Sequence, residues 1–535
     1  MAFSPIGQSK GYAQTGASTT KRALKGFDAR SGSPNEDINY NNHNLRQRSR
    51  ILAMSGGLAL SAIRTNCTNV IGCGLQPKSK IDAKVLGFSQ DEAKAWQDNT
   101  EREFAIWAEN PKACDARGML DYYSIQHLIM LSALTSGDCV TLFKRYEPTD
   151  MMPYSLRLDV VEADRISTPQ LGPTLAYSMS ITDGKTKDGY PIYDGVETDH
   201  SGLVQAYHIC NNYPWEITPV GSQWERVLAY GTETGLPNLI HYLEVERPGQ
   251  YRGVPLLAPV IEYLLQIRRY TESELMAAVI ESFFTAFIKT EAKPDENPYN
   301  APNGEGQEPV SSNENDYELG PGAINILKTG ESVDFANPTR PANGFSAFIK
   351  TMALLLGSSL EITAEVLLKE FNSSYSASRA ALMEAWKAFK RRREWFTGRF
   401  CRPSYEVWMS EAVALERIYA PGFFDDPIIR AAYLGSDWVG PSQGMLDPVK
   451  EITAEILSCE NGFSTHADSA IKLNGSQWDS NIEQLKTENE QLSRANITKA
   501  VVSEIVKGTA QESFTEQKDV TNELEKQKQS MQQGY

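Results

Sequence analysis

The sequence predicts an α+β chain, with helices and antiparallel strands mixed through its first two thirds and helices alone in the last. Three observations carry this. Apolar residues recur at helical spacing in several segments, such as 122–135 and 345–356. Alternating or β-branched runs separated by turn residues fill 139–245. The chain has 535 residues, 41% of them hydrophobic and 10% aromatic, enough for several cored domains at roughly 100–200 residues each.

Residues 1–44, rich in Gly, Ser, Thr and Asn, read as a mobile basic tail. One helix is expected over Leu45 to Asn69, a second over Gln90 to Glu109, and a strongly apolar third over Tyr122 to Thr135 that feeds a strand, Cys139 to Tyr146. Further strands are expected at Leu156–Val161, Tyr177–Ile181, Leu203–Ile209 and Leu239–Val245, with turns at Asp183-Gly184 and Asp188-Gly189. After Pro255, apolar positions from 257 to 287 predict a helix of about thirty residues, or about 45 Å at 1.5 Å per residue. A rod of that length belongs in a bundle or an oligomer.

Lys289 to Gly322 breaks with this pattern. It holds eight acidic residues among Pro, Gly and Asn and reads as a solvated acidic loop. Short strands are expected on either side, Phe284–Lys289 and Ala323–Leu327, the latter turning at Lys328–Glu331 into Val333–Phe335. A second amphipathic helix, with apolar positions from 345 to 356, is expected to stop near Gly357-Ser358-Ser359. A long helix then opens at Ser376 or Ser378, with Leu382, Trp386, Phe389 and Phe396 on one face and Lys387, Lys390, Arg391, Arg392 and Arg393 mainly on the other. Asp447-Pro448 is an N-cap with proline at the first helical position. Ile482, Leu485, Asn489 and Leu492 keep a 3-4-3 spacing like a short coiled-coil seam. No internal repeat is evident.

Charge and cysteines narrow the function. Lys and Arg number 52 against 68 Asp and Glu, a net charge of −16, whereas a protein that grips DNA is basic because phosphate neutralisation supplies its affinity. Residues 1–50 carry +5, leaving −21 for the rest. Seven scattered cysteines, none in C-x-x-C spacing, predict reduced thiols and no zinc ribbon. The six histidines show no metal-ligand spacing. No apolar run reaches the length of a membrane span, and the first forty residues lack a signal-peptide core, so neither a membrane nor a secreted protein is expected.

The sequence motifs carry little chemistry. Gly440-Pro-Ser-Gln-Gly444 matches G-x-S-x-G, but a nucleophile elbow needs a strand before the serine and a helix directly after it. A plain loop is the better reading, and a hydrolase using Ser442 the weakest of the functions considered. The 387–393 cluster fits a solvated helix face or subunit salt bridges, with binding to nucleic acid or an anionic surface as the sharper alternative. The 291–318 loop lacks a calcium-binding pattern. With no nucleotide-binding glycine motif or zinc-protease motif, no enzyme, metal or cofactor is predicted.

Three stretches together resemble the lambda-type portal proteins of tailed bacteriophages. The first runs His241-Tyr-Leu-Glu-Val-Glu-Arg-Pro-Gly-Gln-Tyr-Arg-Gly-Val-Pro-Leu-Leu-Ala-Pro-Val260. The second is Asn372-Ser-Ser-Tyr-Ser-Ala-Ser-Arg-Ala-Ala-Leu-Met-Glu-Ala-Trp386. The third is Trp438 together with Asp447-Pro448 and Lys450-Glu451. Their order extends the resemblance over residues 45–500, and the acidic insert at 291–318 departs from it.

The resemblance implies a ring-forming subunit, usually dodecameric, with an α/β wing, a two-helix stem, a small β-containing clip and a helical crown. By analogy the wing combines 45–252 with 376–439, and the stem is 253–282 with 343–357. The clip is 283–342, the tunnel loop 358–375 and the crown 440–510, with flexible tails at 1–44 and 511–535. Glu361, Glu365, Lys369 and Glu370 become candidates to face DNA, and Glu305, Glu308, Glu314 and Asp316 to dock partners at the clip. The implied partners are double-stranded DNA, the terminase large subunit, major capsid and scaffolding proteins and head-tail connector proteins. The implied place is the capsid portal vertex of the virion, with the host cytoplasm during assembly. A non-channel structural or adaptor protein of the virion is the alternative.

Overall fold

The computed structural model describes residues 16–18, 21–27, 30–169, 183–214, 222–282, 286–290, 331–335, 344–371, 374–444, 447–476 and 478–494. They fall into two units, Met1–Pro441 and Ser442–Tyr535.

In the first unit the chain is already helical within the expected tail. A π turn, Asn35–Asn39, runs into α1 (Tyr40–Met54), where Asn42 and Arg46 are buried. The single helix expected over 45–69 is two, α1 and α2 (Gly57–Val70). Gly56 and Gly57 sit at φ +82° and +66°, backbone that glycine enters without penalty, and the chain bends there. Next come β1 (Gln76–Ser79), short α3 (Ala83–Leu86) and α4 (Gln90–Ala108), whose start is fixed by a reciprocal Ser89–Glu92 capping box. Short α5 (Pro111–Cys114) leads to α6 (Tyr122–Ser136), capped by Asp121.

α6 delivers the chain into β2 (Asp138–Arg145), which pairs antiparallel with β3 (Leu156–Glu162). A five-stranded antiparallel meander follows in chain order: β4 (Asp183–Lys185), β5 (Pro191–Tyr193), β6 (Val196–Thr198), β7 (Val204–Cys210) and β8 (Trp224–Leu228). Asp183-Gly184, read as a turn, is instead the start of β4, while Asp188-Gly189 does turn. The expected strand at 177–181 lies outside the described residues. β9 (Leu239–Leu243) returns to the other edge of β2, giving the order β3-β2-β9.

The long helix α7 (Ile261–Ser282) is shorter than its apolar pattern predicted. Leu257 and Val260 belong to a 3₁₀ turn around Ala258–Val260, and Phe287 to β10 (Ala286–Thr290), so α7 spans about 33 Å. β10 pairs antiparallel with β11 (Glu331–Phe335). The strand expected at 323–327 and the acidic residues Glu305, Glu308, Glu314 and Asp316 lie outside the described residues.

α8 (Phe345–Leu360) ends one residue beyond the expected Gly357-Ser358-Ser359 stop. α9 (Ala364–Leu368) and α10 (Tyr375–Phe396) follow, α10 opening slightly before the expected serines. A π turn links α10 to α11 (Arg402–Ala414), then come α12 (Pro427–Leu434) and β12 (Ser436–Val439), which pairs with β1.

An aromatic cluster sits within the main core of this unit. Phe104 of α4 has Trp408 of α11 at 4.9 Å and Tyr122 of α6 at 5.3 Å, both close to perpendicular, the edge-to-face geometry that ring quadrupoles favour. All three are under 2% exposed. Three elements are thus locked around one ring.

The second unit contains α13 (Pro448–Glu460), α14 (His466–Asn474) and α15 (Trp478–Arg494). Asp447 caps α13 as expected, accepting from the Lys450 backbone N–H at 3.3 Å. Glu455 holds α14 through Ser469, whose Oγ donates at 3.1 Å, and through Lys472. Ile482 and Leu485 of the predicted seam stand exposed on α15.

Candidate functional site

Two clusters in the first unit bind distant parts of the chain together. The first is the corner where α8 gives way to α9 and α10. A Cβ on Gly357 would lie 2.4 Å from the Ile362 carbonyl oxygen, so the chain folds back this tightly only over glycine. The Ile362 N–H donates to the Gly357 carbonyl at 2.9 Å. Glu361 ends α8 at φ +57°, a left-handed conformation that costs a non-glycine residue about 1–2 kcal/mol.

The side chain is held in a fixed direction. Arg391 grips the Glu361 carboxylate with both terminal nitrogens, one at 3.1 Å, and Arg392 reaches it at 3.3 Å. The Arg391 hydrogen bonds hold the Glu361 carboxyl below its usual range. α9 ends at Lys369, also at φ +57°, and the Glu370 carboxylate meets Lys350 of α8 at 3.1 Å. The Ser61 hydroxyl ties α2 to this corner by donating to the Leu367 carbonyl at 2.8 Å.

The corner encloses an open hollow of about 850 Å³, floored by Leu354, Ile362, Leu368 and Ala385. Of the four residues expected to face DNA, Glu361, Glu365 and Glu370 line it and Lys369 does not. Glu361 and Glu370 are engaged within the chain.

The basic run on α10 divides by depth. Lys387 and Arg391 are exposed, but Arg392 is 4% exposed and bonds to Asn66 at 2.8 Å. Arg393 donates to the Asn69 and Val70 carbonyls at the end of α2, at 2.7 and 2.9 Å, where the helix dipole favours a cation. It also lies 5.6 Å over Trp386, and burial lowers its pKa to about 10. The expectation of a largely solvated basic face fails for these two residues: the face they occupy is the one packed on α2.

The second cluster was not visible in sequence. Asp138, the first residue of β2, is fully buried and accepts from Arg252 Nε at 2.7 Å, Arg252 Nη2 at 3.1 Å and the Gly253 N–H at 2.9 Å. Arg46 of α1 stands 3.4 Å away. Arg252 has no solvent exposure and also donates to the Ile166 and Ala163 carbonyls and to the Asp194 carboxylate, which satisfies its guanidinium. Burial alone would push the Asp138 carboxyl up, but Arg252 and Arg46 hold it well below the carboxylate range. A Cβ on Gly253 would come within 2.0 Å of the Gly137 carbonyl oxygen, so this close approach of two chain segments requires glycine. Asn42 completes it by donating to the Gly253 carbonyl at 2.9 Å. The cluster therefore fixes α1, β2 and the segment leading into α7 at one point. Its only sequence sign was the Arg252-Gly253 pair inside the first resembling stretch.

Histidines in this unit make stability pH-dependent. Burial holds His43, His208 and His241 below their ordinary 6.5, against the pull of Asp164, Glu197 and Asp138 respectively. Each binds a proton more readily unfolded than folded. Stability is thus whole above about pH 6.5 and falls as pH drops through that value toward the folded pKa values. The thermal transition is expected to drop by several degrees between about pH 7.5 and 5.5, while the Asp138 contribution persists. A flat profile over that interval would contradict this.

Among the described residues no group of three or more His, Cys, Asp or Glu is arranged to hold a metal ion, and no helix is long and apolar enough to cross a membrane. Ser442 lies in a loop, and the next helix begins only at Pro448, so the nucleophile-elbow geometry is not formed.

These features can be set beside known proteins. A family model described as phage portal protein, lambda family, matches residues 20–393, which includes both clusters. The portal protein of Escherichia phage N15 is 22% identical over 469 residues, covering 84% of each chain. Portal protein B of Escherichia phage lambda is 21% identical over 444 residues, covering 79% of each. A solved chain from the neck of a native GTA particle, computed with C12 symmetry, covers 82% of this chain and 94% of its own at 10% identity. Its TM-score of 0.42 is too loose a likeness to build on. The family match spans well over half of the 535 residues, and with it the chain belongs to the lambda family of phage portal proteins.

Proposed function

We propose that the chain assembles as a closed, dodecameric ring at one vertex of the capsid, with an axial channel through which double-stranded DNA enters and leaves. The observation that carries this reading is the family match over 20–393, which takes in α7, α8 and the corner that joins α8 to α10. On this reading α7 and α8 form the stem, the segment between them the clip, residues 358–375 the tunnel loop and α13 to α15 part of the crown. The net charge of −16 per subunit suits a conduit, because a basic wall would hold the phosphates of a duplex that must slide in both directions.

Of the four charged residues of 358–375, Lys369 is the one offered to the duplex. Glu361 and Glu370 anchor the segment to α10 and α8, and Glu365 stands at the hollow. The acidic clip, with Glu305, Glu308, Glu314 and Asp316, docks the terminase large subunit during packaging and a head-tail connector protein afterwards. Capsid and scaffolding proteins meet the ring during assembly in the host cytoplasm, where it nucleates the procapsid. The chain itself carries out no catalysis; the work of packaging is done by the terminase.

The exposed Ile482 and Leu485 favour one second reading, a non-channel virion adaptor that recruits partners through α15. Complementation separates the two. A phage lacking this chain is expected to yield heads without DNA, and the wild-type chain to restore filled heads. Heads that fill normally without it would overturn the channel reading.

A further inference from the structure

α15 meets α14 at its first residue, where Trp478 stacks on His466 with ring centroids 4.7 Å apart. From there Trp478, Ile482, Leu485, Asn489 and Leu492 follow at 4-3-4-3 spacing, which puts them on one face of the helix. Ile482 and Leu485 are 43% and 42% exposed on that face. It borders an open groove of about 650 Å³. Among the described residues the groove's lining, Ile482, Leu485, Asn489 and Ser493 included, belongs to α15 alone. One wall is thus accounted for.

Forty-one residues follow Arg494. Ala495 and Asn496 come first, then Ile497, Val501, Val502, Ile505 and Val506 at i, i+4, i+5, i+8 and i+9, the spacing of an amphipathic helix. Beyond Val506 the larger apolar residues thin to Phe514, Val520, Leu524, Met531 and Tyr535. We propose that residues 497–506 of this chain fold back over the α15 face and supply the second wall of the groove. Two residues are enough to join antiparallel helices, and asparagine accepts the left-handed backbone that ends a helix. Ten helical residues span about 15 Å, which returns Ile505 to the level of Leu485. Charge agrees. α15 carries Asp479, Glu483, Glu488 and Glu490 against Lys486 and Arg494, while 497–507 carries Lys499 and Lys507 against Glu504. A segment tethered through two residues meets the face at an effective concentration of about millimolar order, ahead of any second copy. The contact is independent of the channel reading, and it closes the face on which the adaptor reading relies.

Amide hydrogen exchange on the full chain, beside the Leu485→Glu variant, tests this. In the full chain the amides of 497–506 are expected to exchange at least about tenfold more slowly than in an unfolded peptide of the same sequence. In Leu485→Glu they are expected to return to the unfolded rate, with exchange in α1 to α12 unchanged. Exchange of 497–506 at the unfolded rate in the full chain would overturn the proposal, and so would protection that survives the glutamate. A cysteine pair then identifies the copy that covers the face. Leu485→Cys with Ile505→Cys is placed in a chain carrying Cys73→Ser and Cys459→Ser, since the other five cysteines are buried. Oxidation is expected to join the two within one chain, read as a linked peptide by mass while the protein still runs as a single chain on a denaturing gel. A ladder of joined chains would put a second copy's segment on the face and overturn the proposal, as would no linked peptide at all.

Discussion

Replacement of Asp138 by alanine is expected to destabilise the first unit by about 3–5 kcal/mol, the cost of removing one partner from a buried ion pair. The carboxylate has no solvent exposure, and it is the shared partner of Arg252 and Arg46, themselves 0% and 4% exposed. Without it Arg252 retains Asp194 and two carbonyls, but two guanidiniums face each other in a site that excludes water. The Gly253 N–H also loses its acceptor. Urea unfolding followed by tryptophan emission reads this unit, since Trp107 and Trp408 are buried in it. The midpoint should move down with an unchanged slope. A loss under about 1 kcal/mol would mean that the cluster is relaxed or wet, because exposed pairs contribute only that much. The two clusters also differ in kind: Glu361, at the α8 corner, is 42% exposed by side chain, so its pairs with Arg391 and Arg392 direct the chain more than they stabilise it.

Phe104→Ala is expected to cost a similar 3–5 kcal/mol, by a different route. The ring is 1% exposed and sits between α4, α6 and α11, so its loss leaves a cavity bounded by Trp107, Tyr122, Tyr405 and Trp408. These rings are large and mutually packed, and they cannot collapse inward without leaving their own contacts. Phe27→Ala supplies the contrast: at 76% exposure it should shift stability by no more than about 0.5 kcal/mol. Equal effects at the two positions would show that the aromatic cluster is not the centre of this core.

Local physics was legible in the sequence, and long-range physics was not. The α6–β2–β3 succession was readable because its apolar spacing changes from helical to alternating across Gly137, and the Asp447-Pro448 cap because it depends on neighbours alone. The start of α7 was misplaced because Leu257 and Val260 serve the core from a 3₁₀ turn, which an apolar count does not distinguish from a helix. Gly357 has a role the sequence did not show. That role is steric, allowing Ile362 to approach, and it acts from inside the last turn of α8. The Asp138 cluster joins residues 92 and 114 positions apart, a separation at which charge patterns carry no signal. Arg392 and Arg393 extend a basic run whose outer members are solvated, and only the packing of α10 on α2 turns these two inward. At the α8 corner, resemblance pointed to the segment, while the pairing of Glu361 with Arg391 came from the fold.

The channel is the central claim, and imaging of the purified full-length chain by negative stain, with a mass measured on the same sample, tests it most directly. The expected result is a closed ring of about twelve subunits with an axial hole. A compact dimer that stays dimeric in the presence of scaffolding and capsid proteins would contradict the account.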